Sequence, residues 1–144
     1  MTTVKKNEAG IPLNYLPSAN EEHMNPTMLK YFQHELLKRR QDIVQECNDT
    51  IAHLGCEKMS GSDHYDNAAK AGDIHVELRI RDRYRKLLKI IDRSLKDIDD
   101  GNYGYCIKTG DPIPIERLLS KPTANMSIDA QERHESYERM HSDK

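Results

Sequence analysis

Two short segments of the sequence, GYCIKTG at 104–110 and MSIDA at 126–130, have the spacing of a metal knuckle without its ligands. A structural zinc site presents four thiolate or imidazole donors in two closely spaced pairs. Here the first pair would be Cys106 and Thr109, and the second Ser127 and Ala130. One thiolate, two hydroxyls and a methyl group do not make a zinc donor set, and neither turn carries a histidine at the needed spacing. The expectation is a turn region without metal. Thr109 and Ser127 then act as turn and capping residues, and Cys106 packs as a small apolar group. Cohesion would come from Tyr103, Tyr105, Ile107, Ile113, Ile115, Leu118, Leu119, Met126 and Ile128.

Two other segments could carry chemistry. SDHYDNAA, 62–69, gathers Asp63, His64 and Asp66. Read as residues alone, either aspartate can cap a following helix. A magnesium site has too few oxygens to complete its shell. Acid–base catalysis lacks a water-excluding pocket to move a carboxyl pKa. The run ELRIRDRYRKLLK, 77–89, holds Arg79, Arg81, Arg83, Arg85, Lys86 and Lys89 with Glu77 and Asp82 between them. It is either an ion-paired, solvated helix surface or a surface from which a subset contacts phosphate or another anion. No glycine-rich phosphate loop, Ser/His/Asp set or Cys/His nucleophile pair is present. The sequence therefore does not read as an enzyme.

The elements that must position these groups follow from periodicity. In MNPTMLKYF, Asn25 is suited to cap a helix and Pro26 to open it, where its missing N–H is not needed. Leu29, Phe32, Leu36, Ile43, Cys47, Thr50 or Ile51, and Leu54 then recur at steps of three and four, an apolar seam on a long helix. A polar turn follows. A second seam runs through Ile74, Leu78, Arg81, Arg85, Leu88, Ile91, Leu95 and Ile98 and stops at Gly101, a residue suited to the left-handed C-terminal position.

Two narrow seams joined by a short turn predict an antiparallel coiled-coil hairpin. Arms of about 30 residues would be roughly 45 Å long. Leu37, Leu87 and Ile90 are expected where the hairpin meets another element. Residues 102–126, broken by Pro112, Pro114 and Pro122, are expected to hold only turns or a very short strand pair. Ser127 then caps a last helix. The predicted fold class is mainly α. Residues 1–24 are a flexible or loosely docked leader, 25–101 the hairpin with its tip near 60–68, and 102–144 a degenerate zinc-finger-like globular region with a C-terminal helix.

Composition narrows the function classes. Over 144 residues, 22 Lys and Arg nearly balance 24 Asp and Glu, for a net charge of −2. Any nucleic-acid role must therefore rest on a local patch. No apolar run approaches a membrane span, and the first residues lack the apolar core of an export signal. Cys47, Cys56 and Cys106, an odd number, do not suggest a disulfide framework. These features lead to the expectation of a cytoplasmic protein.

The residues resemble those of the DksA/TraR family from about Met24 to about Arg133. The similarity rests on MNPTMLKYFQHEL, on SDHYDNAA, on ELRIRDRYRKLLKII and on DGNYGYCIKTGDPIPIERLLSKPTANMSIDA. The spacing of GYC, the I-x-RL element and PTA makes the last segment the most specific. The resemblance implies a non-enzymatic protein that binds RNA polymerase through its secondary channel. There it modulates transcription initiation in stringent-response fashion, together with the alarmone ppGpp. The tip pattern of the family falls on Asp63, Asp66 and Ala68. Its polymerase and ppGpp interface falls on Arg83 and Leu87, with Arg79 and Lys86 beside them, while two lysines of that pattern are here Ile90 and Gln131.

The four zinc cysteines of the family fall on Cys106, Thr109, Ser127 and Ala130. The expectation is therefore a zinc-independent monomer with weakened ppGpp dependence and no sequence-specific DNA contact of its own. Two other readings stay open at this point. One is a Gre-like factor acting on backtracked transcripts, and the other a coiled-coil adaptor or nucleic-acid-binding module using the arginine-rich helix.

Overall fold

The computed structural model describes the backbone of residues 6–59 and 67–142, and the side chains of these except 55–59 and 67–71. Among the described residues four helices follow one another: α1 (Pro26–Met59), α2 (Asn67–Asp100), α3 (Ile115–Ser120) and α4 (Ile128–His141). Among the described residues extended pairing is limited to two isolated antiparallel bridges, Lys6 with Pro12 and Tyr105 with Pro112. The chain divides into two compact units, one of residues 1–36 with 93–144 and one of residues 37–92.

The helix ends follow from local chemistry. Asn25 Oδ1 accepts the Met28 N–H at 2.9 Å, and Pro26 fills the first position. At the far end of α2, Gly101 takes φ +80°, and the Asp97 carbonyl accepts the N–H groups of Asn102 at 2.8 Å and Tyr103 at 3.1 Å. A left-handed residue there turns the chain back on carbonyls that would otherwise lack partners. Ser127 Oγ accepts from Ala130 N–H at 3.3 Å and starts α4, with Asp129 in its first turn.

In the unit of residues 37–92, Arg40 Nε donates to Asp92 Oδ1 at 2.8 Å, pairing the start of this part of α1 with the end of this part of α2. The two helices are antiparallel, as a coiled-coil hairpin requires. The seam on α2 differs from the one the aliphatic residues suggest. Ile74 and Leu78 are 57% and 58% exposed, while Tyr84 and Ile91 are buried and Asp73, Glu77, Ile80 and Leu88 are partly covered. The inward stripe runs 73, 77, 80, 84, 88, 91, one position away from the predicted register on the stretch before Leu88. Aliphatic side chains at 74 and 78 outweigh an aspartate and a glutamate in a periodicity count, but the helix turns on geometry alone. One consequence is that Asp73 carries an oxygen, Oδ2, buried without a hydrogen-bond partner among the described residues. Leu37, Leu87 and Ile90 are 50%, 39% and 50% exposed, and do not sit beneath another element as expected.

The other unit holds the main core. Met28, Phe32, Leu36, Ile113 and Leu118 are essentially inaccessible, joined by Ile11, Met24, Tyr103, Ile115, Ala124 and Ala130. Fully burying one large apolar side chain contributes roughly 1.5–3 kcal/mol. Five of them therefore match in size the binding energy of about 10–16 kcal/mol that a structural zinc adds to a small domain. Tyr103 anchors the loop region, its hydroxyl donating to the Pro122 carbonyl at 2.6 Å in a buried site while its ring lies 5.5 Å from that of Phe32.

The expected apolar set needs correction here. Tyr105, Ile107 and Ile128 are 36%, 59% and 52% exposed, and their place is taken by side chains of α1 and of residues before it. The six-residue helix α3 was also not foreseen. Pro114 precedes it rather than interrupting it, at φ −54° and ψ 139°. A proline there gives up no needed donor.

Residues 6–24 wrap against this core. Asn7 Oδ1 accepts from Ala9 N–H and Ile11 N–H, an Asx turn that directs Ile11 inward to 2% exposure. Tyr15 donates to Glu21 at 2.8 Å. Its burial, that hydrogen bond and the Glu21 charge together push its hydroxyl up to about 12.

Candidate functional site

Three places bear on function, beginning with the tip. Asp63 and Asp66 lie outside the described residues. Ala68 falls in the first turn of α2.

The second is the basic run on α2. On a helix, positions 79, 83, 86, 87 and 90 fall on one side, three or four residues apart. That side therefore combines Arg79, Arg83 and Lys86 with the exposed Leu87 and Ile90. Not all the cations are equally free. Arg81 bonds Glu77 at 2.9 Å and Lys86 approaches Asp82 at 3.4 Å. Exposed pairs of this kind contribute only a few tenths of a kcal/mol and exchange readily for a partner's carboxylate. Arg79 and Arg83 make no ion pair among the described residues. Gln131, on α4, spends its amide on Glu135 Oε1 at 2.8 Å.

The third place is the former knuckle. The fold brings its positions together even though three of the four lack a thiolate. Cys106 is 3% exposed and Ala130 6%. Burial by itself would push the Cys106 thiol up. The Thr109 hydroxyl and the backbone N–H groups of Ser127, Thr109 and Lys108, however, all point at Sγ and bring it down to about 6. Thr109 Oγ1 also accepts the Asp111 N–H at 3.3 Å. Donors of this kind around a cysteine sulfur favour its thiolate form.

It is not a metal site of the four-thiolate kind. The other three positions offer a hydroxyl engaged with the thiol, a hydroxyl engaged as helix cap and a methyl group. Among the described residues no three His, Cys, Asp or Glu side chains gather as a ligand set. The residues therefore do not fit zinc in this place, and no functional step is routed through it.

Sequence reasoning missed two features around the knuckle. His23 Nε2 donates to the Gly104 carbonyl at 2.8 Å, and its ring meets Tyr105 edge-on at 5.1 Å. Gly104 itself takes φ +87°, and a Cβ there would lie 2.6 Å from Met24 Cγ and Sδ. The only advance signal was the glycine in GYC, since contacts this distant in sequence leave no periodic trace.

A basic and apolar stripe on one arm of a helical hairpin, with a knuckle-like turn that lacks a four-thiolate donor set in the other unit, defines a class of hairpin proteins related to C4 zinc fingers. The model of the DnaK suppressor protein DksA, N-terminal domain, matches residues 28–98. That of the prokaryotic dksA/traR C4-type zinc finger matches 101–136.

The chain belongs to the DksA/TraR family. It is 46% identical over 130 residues to the RNA polymerase-binding transcription factor DksA of Caulobacter vibrioides, covering 90% of this chain and 92% of the relative. It is 38% identical over 115 residues to the protein of the same name from Escherichia coli K12, covering 80% and 76%. Among solved structures it is similar to transcription factor DksA2 from Pseudomonas aeruginosa, with a TM-score of 0.70 and 34% identity over 84% of this chain and 95% of that one. No described helix is long and apolar enough to cross a membrane.

Proposed function

We propose that this chain regulates transcription initiation by binding RNA polymerase, its hairpin entering the secondary channel so that Asp63 and Asp66 approach the catalytic centre. Two close relatives bear the name RNA polymerase-binding transcription factor, which supports the partner. The observation that carries the reading in this chain is the α2 stripe, with Arg79 and Arg83 making no ion pair among the described residues beside the exposed Leu87 and Ile90. Arginine and exposed apolar groups side by side are what the centre of a protein interface uses.

On this reading the protein acts in the cytoplasm as a monomer, without catalytic activity and without zinc. It responds weakly to ppGpp, because Ile90 and Gln131 cannot make the charge-assisted phosphate contacts that lysines would.

The test is binding of the purified chain to RNA polymerase core, followed by fluorescence anisotropy, together with run-off transcription. Arg83→Ala should weaken binding on the order of tenfold. Asp66→Asn should retain binding and lose promoter regulation. Equal loss of both by Asp66→Asn, or no binding at micromolar concentration, would refute the proposal.

A further inference from the structure

We propose that the recess between the Lys108–Thr109 turn and helix α4 is a binding site for a small phosphate or related oxyanion, gripped by the side chains of Lys108 and Arg133. The recess is a shallow cavity of about 390 Å³ lined by Lys108, Thr109, Ala130, Arg133, His134 and Tyr137. Two of these, Thr109 and Ala130, occupy former knuckle positions, so the recess opens over the place where thiolate side chains would have stood. A hydroxyl engaged with Cys106 and a methyl group form its floor.

The charges favour an anion of modest affinity. Lys108 and Arg133 come from different segments, both are exposed, and neither makes an ion pair among the described residues. Two cations flanking one concave surface attract an oxyanion and can hold it through charge-assisted hydrogen bonds. Glu138 takes His134 at 3.2 Å, while Asp129 and Glu132 line the adjoining groove along α4 with Arg133, Ser136, Tyr137 and Met140.

The proximity of these acids keeps the affinity to about the millimolar range. None of these residues belongs to the stripe on α2, so the site stands or falls independently of polymerase binding.

The experiment is a nitrogen-15 NMR titration of the full chain with sodium phosphate, ionic strength held constant with chloride. Saturable shifts at Lys108, Thr109, Ala130 and Arg133 are expected. The Lys108→Gln, Arg133→Gln double variant should lose at least tenfold in affinity, and Lys30→Gln, which removes an exposed charge that does not line the recess, should lose none. Lys108 and Arg133 bear on no core contact, and circular dichroism checks that the double variant is folded. Adenosine monophosphate separates two sources of the same chemistry. Tighter binding with added shifts at Tyr137 assigns a nucleotide, and equal affinity assigns the free anion. Shifts that never saturate, that chloride reproduces, or that persist in the double variant overturn the site.

Discussion

Replacing Cys106 by serine removes an ionisable group while keeping a side chain of similar size that can still accept hydrogen bonds. In the folded chain the thiol is lowered from 9.0 to about 6, the donors at Sγ outweighing burial. A folded-state value below the unfolded one makes the thiolate a source of stability that is complete above about pH 9 and is lost as pH falls through about 6. Across that window each pH unit changes stability by about 1.4 kcal/mol. Between about pH 5.5 and 8.5 the wild-type chain should therefore gain about 3 kcal/mol that the Cys106→Ser variant does not. Urea unfolding of both proteins at several pH values, with reductant present, measures the difference. Thr109→Val, which deletes one donor, should move the midpoint of the effect upward. A Cys106→Ser penalty of the same size at both ends of the range would refute the idea that the turn holds a thiolate.

Other expectations test separate parts of the structure. Gly104→Ala combines a left-handed φ with a Cβ placed 2.6 Å from Met24. It should cost about 2–4 kcal/mol by thermal unfolding, part of it recovered by Met24→Ala in the same chain. Tyr84→Ala should destabilise by about 3 kcal/mol and Leu78→Ala by less than about 0.5 kcal/mol, and the reverse order would restore the aliphatic register on α2. Ile90→Lys with Gln131→Lys should increase the effect of ppGpp on promoter repression in run-off transcription. An unchanged response would show that these two positions do not set it.

The long helices were legible because their signals are local. Asn25, Pro26, Gly101 and Ser127 mark ends by the hydrogen bonds they can or cannot make, and steps of three and four mark the seams between. Register was less legible. Ile74 and Leu78 are aliphatic yet exposed, and Asp73 is polar yet has a buried oxygen. Packing geometry, which a residue count does not contain, decides between them.

The unit of residues 1–36 and 93–144 was legible only in part. Tyr103, Ile113, Ile115 and Leu118 were recognisable as core. Ile11 and Met24 were not, because an irregular segment reaches the interior through a turn rather than a repeat. Likewise Cys106, Thr109 and Ser127 could be read as an incomplete donor set, while the N–H groups that converge on the remaining sulfur belong to the backbone and have no signature in residue type.

The contact of Met24 with Gly104 also has a chemical vulnerability. Its thioether is pressed against a turn that has no room for even one extra carbon. Conversion to the sulfoxide would bring a polar oxygen into that gap. Air, peroxide or long storage could thus loosen the junction between the residues before α1 and the knuckle, in a chain whose cysteines were all kept reduced.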